Sequence, residues 1–444
     1  MSMRTRFILP IILAGALGTC PSLLEAQKSE RFALISYKLK NGLGVILAQD
    51  DSLPIVSVVI GYRAGAVSEQ TGKTGLAYLL ENLMFQGSEN VGRMRHVSFI
   101  QKIGGELNAD TRIDKSLYYQ RVPSNQLALV LWLESDRMRS LEITPANVER
   151  AKEALGVELR QRRANEPFFE SSFSFDQLLF PDFSYSHPMI GNEEDIKNIS
   201  LDDVADFYSS YYAPNNAVLC LAGSFNKVKA KELIAKYFET IPARKEIPPF
   251  VPSRFDEKKA IAETLQDPMA PSPAFHLGFR IFSPRPPDLF ALRVLDYLLL
   301  RGKSSRLYVR LLRKEHLVIQ LSGGIDERKN LQAYKIFATV NNELMTERCL
   351  QAIFSEFDKL KSSFVSAEEL AKAKNMLKMD TLGRTMTSED RALFFTEAYL
   401  NQKDLDNVFA DLEMSLKITP SDIVNLINRY FTKENSILLK IKPR

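Results

Sequence analysis

The chain has 444 residues, 45% of them hydrophobic and 25% charged, with a formal net charge of +4. That length suggests two to three domains, and that composition is one of an ordinary globular protein. The small charge, with no Lys/Arg-rich block and no aromatic–basic repeat, excludes a nucleic-acid-binding reading.

Taken in chain order, Arg4 and Arg6 followed by the apolar run Phe7 to Leu17 read as a secretory signal. The run is too short to span a bilayer. Ser22 to Ala26 offers an exit, so residues 1–26 are expected to be removed. Leu17 to Cys20 loosely matches a lipoprotein processing site, with Thr19 unfavourable, so membrane attachment is expected only if Cys20 is lipidated. The mature chain is therefore expected to be exported and periplasmic, a lipid anchor being the alternative. Cys220 and Cys349 remain; two cysteines in an exported chain of this size make no disulfide framework, and both are expected unpaired.

Ile55–Tyr62 reads as a strand, and the segment from Gly75 to Ser88 as a helix ended by Gly87-Ser88. Helices follow over Asn125–Ser140 and Val148–Ala164, the second started by Thr144-Pro145. Leu201–Leu221 is a helix, a turn and a strand. Ile241 to Pro273 is rich in proline, lysine and glutamate and reads as an extended linker. Beyond it the plan repeats: a strand at Phe275–Ile281, a helix at Leu289–Leu300 broken at Gly302–Ser305, and a helix-turn-strand at Ser421–Lys440. The division is thus a signal over 1–26, one half over 32–240, a linker over 241–273 and a second half over 274–444. The expected class is α+β: two similar halves, each an antiparallel sheet with packed helices, facing one another as a clamshell.

The chemistry concentrates at Tyr78, Glu81 and Asn82. Positions i and i+4 share one helix face, where two histidines can grip one metal ion. Here those positions hold Tyr78 and Asn82. A phenol titrates near pH 10 and is a poor ligand at neutral pH; a neutral amide is a poor match for zinc. The histidines at 96, 187, 276 and 316 stand at no ligand spacing.

The Gly75–Ser88 segment resembles the active-site helix of the inverted zinc peptidases, whose pattern is H-x-x-E-H, with both histidines replaced. Lys40–Ile46, Gly104–Thr111, Trp132–Met138, Ser186–Gly191, Tyr212–Asn216 and Gly302–Tyr308 extend the match in order. The chain thus resembles the pitrilysin/insulinase family, specifically its short two-subunit branch that includes processing peptidases. The resemblance makes Glu81 the relic of the general base and places Glu158 at the third zinc-ligand position. An acid that supports the site in the family falls at Ala151 and is lost. Without zinc no bound water is acidified near pH 7, so no cofactor is expected. Asn108 and Ala109 match the edge strand on which the family holds an extended peptide. Arg313 and Gln320 stand where the family has an arginine and a tyrosine on the substrate carbonyl, and a glutamine there implies weaker oxyanion support. As bland alternatives, Glu158 and Arg313 are solvated helix residues and Asn108-Ala109 a turn.

The implied function is that of a catalytically silent homologue, the subunit that binds peptide and completes the chamber of an active zinc-peptidase partner or of a second copy of itself. Alone, it is expected not to hydrolyse peptides. Two alternatives stand: a divergent active metalloendopeptidase, and a stand-alone exported peptide-binding or assembly factor.

Overall fold

The computed structural model describes residues 34–443 apart from 245, 249–257, 283, 329–330, 404 and 406. The signal segment 1–26 and Cys20 lie outside the described residues. No described helix is long and apolar enough to cross a membrane.

The first sheet holds β1 (Leu34–Lys38), β2 (Gly44–Gln49), β3 (Ile55–Tyr62), β4 (Glu106–Thr111), β5 (Ser116–Pro123) and β6 (Ala217–Gly223), in the order β1-β2-β6-β3-β5-β4. The second holds β7 (Ile261–Gln266), β8 (Ala274–Ile281), β9 (Gln320–Arg328), β10 (Leu331–Thr339) and β11 (Ser436–Lys442), in the order β7-β11-β8-β10-β9. Without β1, the second order repeats the first strand for strand. Each sheet is antiparallel apart from one parallel pair, β2 with β6 and β7 with β11.

The first half carries helices α1 (Leu76–Leu83), α2 (Arg95–Lys102), α3 (Leu127–Arg139), α4 (Pro145–Asn165), α5 (Phe169–Leu179), α6 (Phe183–Ser186), α7 (Glu193–Asn198), α8 (Leu201–Tyr211) and α9 (Lys227–Phe238). The second carries α10 (Pro286–Leu299), α11 (Glu343–Ser362), α12 (Ala367–Gly383), α13 (Ser388–Leu400), α14 (Ala410–Leu416) and α15 (Pro420–Tyr430). Thr144 caps α4 by accepting from the Asn147 N–H, as its sequence predicts. One expectation is corrected. The stretch 241–273 is not linker throughout, because β7 lies inside it. An edge strand pairs on one side only, so Ile261 and Leu265 suffice to seat it and the flanking prolines mask it in the composition.

The repeat extends to individual hydrogen bonds. Capping boxes open α8 (Ser200 with Asp203) and α15 (Thr419 with Asp422). After each helix an asparagine ties its end to the neighbouring strand. Asn216 Nδ2 donates to the Tyr211 and Arg63 carbonyls at 2.8 and 3.1 Å. Asn435 Nδ2 donates to those of Tyr430 and Arg280 at 2.7 and 2.9 Å. Beside these clamps, Tyr62 stacks on Tyr212 with ring centroids 4.5 Å apart, and Phe279 packs on Phe431 at 5.0 Å.

The halves interlock by exchanging helices. α13 of the second half packs on β3 and β6 of the first, while α5 of the first half packs on β8 and β11 of the second. Both faces of the central strands are therefore covered, and β3, β6 and β8 are buried almost throughout. This explains their unbroken apolar runs, since a strand covered on both faces has no polar alternation. A glycine sits under each exchanged helix. A Cβ on Gly61 would lie 2.6 Å from Thr396 Cγ2, and one on Gly278 would lie 2.7 Å from Phe175 Cζ. Two large cores follow, one between α1, α3, α8 and the first sheet, the other between α10, α11, α15 and the second. Cys220 and Cys349 are buried in β6 and α11 respectively.

Candidate functional site

Helix α1 presents the site, and its start is fixed from below. Buried Glu69 accepts from the Gly75 N–H at 2.9 Å and the Ala77 N–H at 2.7 Å, satisfying donors that the first helical turn leaves without partners. A carboxylate there also opposes the positive end of the helix dipole. His187 Nδ1 lies 3.6 Å from Glu69 Oε2, and its Nε2 lies 3.1 Å from the Ala66 carbonyl oxygen. Burial pushes the Glu69 carboxyl up and the His187 ring down. On the inner face Leu76, Leu79, Leu80 and Leu83 anchor α1 in the core, leaving Tyr78, Glu81 and Asn82 on the other side.

Tyr78 and Glu158 meet, although eighty positions separate them. The Tyr78 hydroxyl donates to Glu158 Oε1 at 2.8 Å. Arg162, one turn further along α4, donates to the same oxygen at 2.6 Å and lies 3.3 Å from the Tyr78 hydroxyl. Burial holds the Tyr78 phenol well above its usual range, and the bond to Glu158 adds to the rise. Asn82 turns its amide back along its own helix, Nδ2 to the Tyr78 carbonyl at 3.3 Å. This donor set does not fit zinc. The phenol keeps its proton, the amide is neutral, and the one carboxylate already carries a guanidinium. Among the described residues no group of three or more His, Cys, Asp or Glu is placed to hold a metal ion.

Glu81 faces the end of β4. Burial pushes its carboxyl up, hydrogen bonds from Thr111 oppose that, and the charges of Asp110 and Glu158 add to the rise. Its Oε2 is buried with no hydrogen-bond partner among the described residues. Beside it, β4 is the outermost strand of its sheet. Asn108 is exposed there, and its Oδ1 accepts from the Ala109 N–H at 2.9 Å. Asn108 and Ala109 therefore lie on a free strand edge, not in a turn.

Arg313 and Gln320 are placed elsewhere. Arg313 lies in a short π-helix over Tyr308–Lys314, its guanidinium 5.6 Å from the Tyr308 ring centre. Gln320 starts β9, paired with Thr339. Both are exposed, and no described hydrogen bond or ion pair joins either to α1, β4 or α4. The other end of β9, from Ile325 to Arg328, approaches the turn after β4. At ~3.3 Å per residue, Gln320 is roughly 17 Å from Ile325.

Sequence reasoning missed Arg162, although its spacing of four from Glu158 on a predicted helix signals an ion pair. It also missed the pairing of Glu69 with His187, which carries no local signal. The Trp132–Met138 segment supplies packing: Arg137 donates to Glu134 at 3.0 Å inside the core and lies over the Tyr118 ring.

Two family models match the chain. One, described as Insulinase (Peptidase family M16), matches residues 44–173, and one described as Peptidase M16 inactive domain matches residues 198–377. The second description attaches to the part of the chain that does not carry Tyr78. A "Zinc protease PqqE" of Helicobacter pylori is 28% identical over 422 residues, 92% of each chain. The crystal structure of a protease from Helicobacter pylori superposes with a TM-score of 0.87 at 28% identity, covering 92% of this chain and 99% of that one. Pitrilysin shares the fold, with a TM-score of 0.77 at 19% identity over 94% of this chain and 45% of its own.

Proposed function

Because the chain belongs to the insulinase family (peptidase M16), we propose that it is a non-catalytic member that holds no zinc, binds an extended peptide along β4 and completes the chamber of an active zinc-peptidase partner. The observation that carries this reading is the hydrogen bond from Tyr78 to Glu158, reinforced by Arg162. It fills the metal's place with a proton and a guanidinium. Neither acidifies a water molecule, so Glu81 has no nucleophile to generate.

Peptide binding needs no metal. β4 offers one unpaired edge, and an added strand gains main-chain hydrogen bonds there. The partner role is supported by the fold, which pitrilysin shares over 45% of its own length, the rest of that protein lying outside the match. Arg313 and Gln320, exposed and joined to α1, β4 and α4 by no described hydrogen bond or ion pair, can face a partner's site. On this reading the protein works outside the cytoplasm, exported by the segment 1–26 and, if Cys20 is lipidated, held at a membrane.

A mixing assay tests the proposal. The purified chain is expected to cleave no peptide and to contain no stoichiometric zinc after dialysis without chelator. Added to an H-x-x-E-H family member from the same cell, it is expected to bind and raise that enzyme's activity. Zinc lost on Glu158→Ala would instead mark a divergent metallopeptidase. Peptide binding without effect on any family peptidase would mark a stand-alone binding factor.

A further inference from the structure

A half-open cavity of about 820 Å³ lies between the halves, beneath the exchanged helix α13. Its floor is a second copy of the degenerate site. On α10, Arg293, Asp296 and Tyr297 stand at the mutual spacing of Tyr78, Glu81 and Asn82, and each trio precedes a glycine with positive φ, Gly302 or Gly87. The apolar residues around them match too: Val294, Leu295 and Leu298 are buried as Leu79, Leu80 and Leu83 are. The Tyr297 hydroxyl donates to Asp380 Oδ2 on α12 at 2.7 Å, as Tyr78 does to Glu158 on α4. Arg384 follows Asp380 by four residues, as Arg162 follows Glu158.

The copy differs from the original in its roof. The first site opens beside the free edge of β4, whereas α13 and the turn between β4 and β5 cover the second. The roof is rich in cations. Glu397 of α13 receives Arg112 at 2.6 Å and also Arg384. Lys115 adds a third positive charge near Glu397, holding that carboxyl down together with the two arginines against its burial. Yet the Lys115 side chain is only 13% exposed, and its closest acid among the described residues, Asp114, lies 3.9 Å away. Its ammonium donates to no acceptor among the described residues and keeps contact with solvent, so it is open to a ligand from the cavity. Among the described residues the other acids of the cavity wall are already engaged. Asp296 is taken by Arg301 at 2.7 Å, and Asp411 by Arg293 and Lys403 at 3.1 and 2.7 Å. One acceptor is also idle: the side-chain oxygen of Gln332, on the cavity wall, is buried with no partner among the described residues.

We propose that this cavity is a binding site for a carboxylate flanked by an amide, the chemistry of a peptide C-terminus. Lys115 and Arg384 receive the carboxylate, and Gln332 accepts from the amide N–H. The site is distinct from the β4 edge and does not depend on the chain being a silent subunit.

Isothermal titration of the full mature chain at low salt, with N-acetyl-dialanine as the probe, tests this. The free acid is expected to bind saturably, and its C-terminal amide about tenfold more weakly or worse, as loss of a charge-assisted hydrogen bond requires. K115M is expected to weaken the free acid by a similar factor, and Q332L by roughly threefold. A109P, whose N–H faces out of the sheet, is expected to leave this binding unchanged while abolishing capture of longer peptides. The proposal is overturned if the free acid does not bind, if the amide binds equally well, or if folded K115M and Q332L both bind like the wild type. Inorganic phosphate binding as tightly as the free acid would also overturn it, leaving a general anion site. Loss of binding in A109P would place the ligand at the β4 edge instead.

Discussion

The two halves use one backbone plan for two different settings of an acid. In the first, Glu81 lies beside an open strand edge, with Thr111 as its hydrogen-bond donor and no cation among the groups that shift it. In the second, Asp296 is buried, receiving Arg301 Nε at 2.7 Å and the Tyr334 hydroxyl at 3.1 Å. Burial pushes the Asp296 carboxyl up and Arg301 opposes it. The duplicated helix fixes where the acid stands. What surrounds it, an edge strand in one half and an exchanged helix in the other, decides whether it is reachable.

The largest expected effect breaks the resemblance between the halves. Replacing Tyr78→His and Asn82→His together frees Glu158 from the phenol and supplies two imidazoles one turn apart, so the first half should take up zinc stoichiometrically. The matched double change Arg293→His with Tyr297→His should take up none, because Arg112, Arg301, Arg328, Arg384 and Lys403 line that cavity and their charge opposes a cation. Metal analysis after dialysis reads both outcomes, and zinc in neither or both would show that α1 and α10 are not distinguished by their surroundings.

Next come the glycines beneath the exchanged helices. Gly61→Val and Gly278→Val each force a side chain into a neighbouring helix and should each cost about 1–3 kcal/mol. Denaturant melts should show losses of similar size if the exchange is symmetric; a loss confined to one variant would mean that a single crossing holds the halves together.

The crossings should also differ in acid sensitivity. His276 lies against Phe175 of α5 and against Phe337, with ring centroids 4.9 and 4.7 Å away, and burial pushes its pKa down to about 3. Its folded value is below the unfolded one of about 6.5. The stability it contributes is therefore complete above that pH and is lost progressively as pH falls from about 6.5 towards about 3. At the other crossing, hydrogen bonds from Ser52 and Arg391 lower the Asp50 carboxyl to about 2. Its contribution is complete above the ordinary carboxylate value near 4 and is lost only between there and about 2. His276→Phe should raise stability at pH 4 relative to wild type by about 1–3 kcal/mol, whereas Arg391→Met should matter little to the pH profile above pH 4. Thermal melts across pH 3–7 would contradict this if both variants followed the wild-type profile.

The smallest effects sit at the phenols. Tyr78→Phe removes a half-buried hydrogen bond and should cost about 1 kcal/mol, while Tyr297→Phe removes an exposed one and should cost less. Equal costs in urea melts would argue against the difference in enclosure.

Much of this protein is legible in its sequence. The doubled order of strands and helices, the cap at Thr144, and the loss of both histidines around Glu81 are local patterns. They depend on periodicity, on side chains that reach backbone a few residues away, and on residue identity. The strand at Ile261–Gln266 escaped that reading because proline-rich flanks outweighed a short half-buried edge. The helix exchange, the Tyr78 hydroxyl on Glu158, His187 against Glu69 beneath α1 and the roof over Asp296 were decided only in three dimensions. Each joins residues far apart in the chain, and whether such groups meet depends on which faces of two sheets are left for helices of the other half to cover.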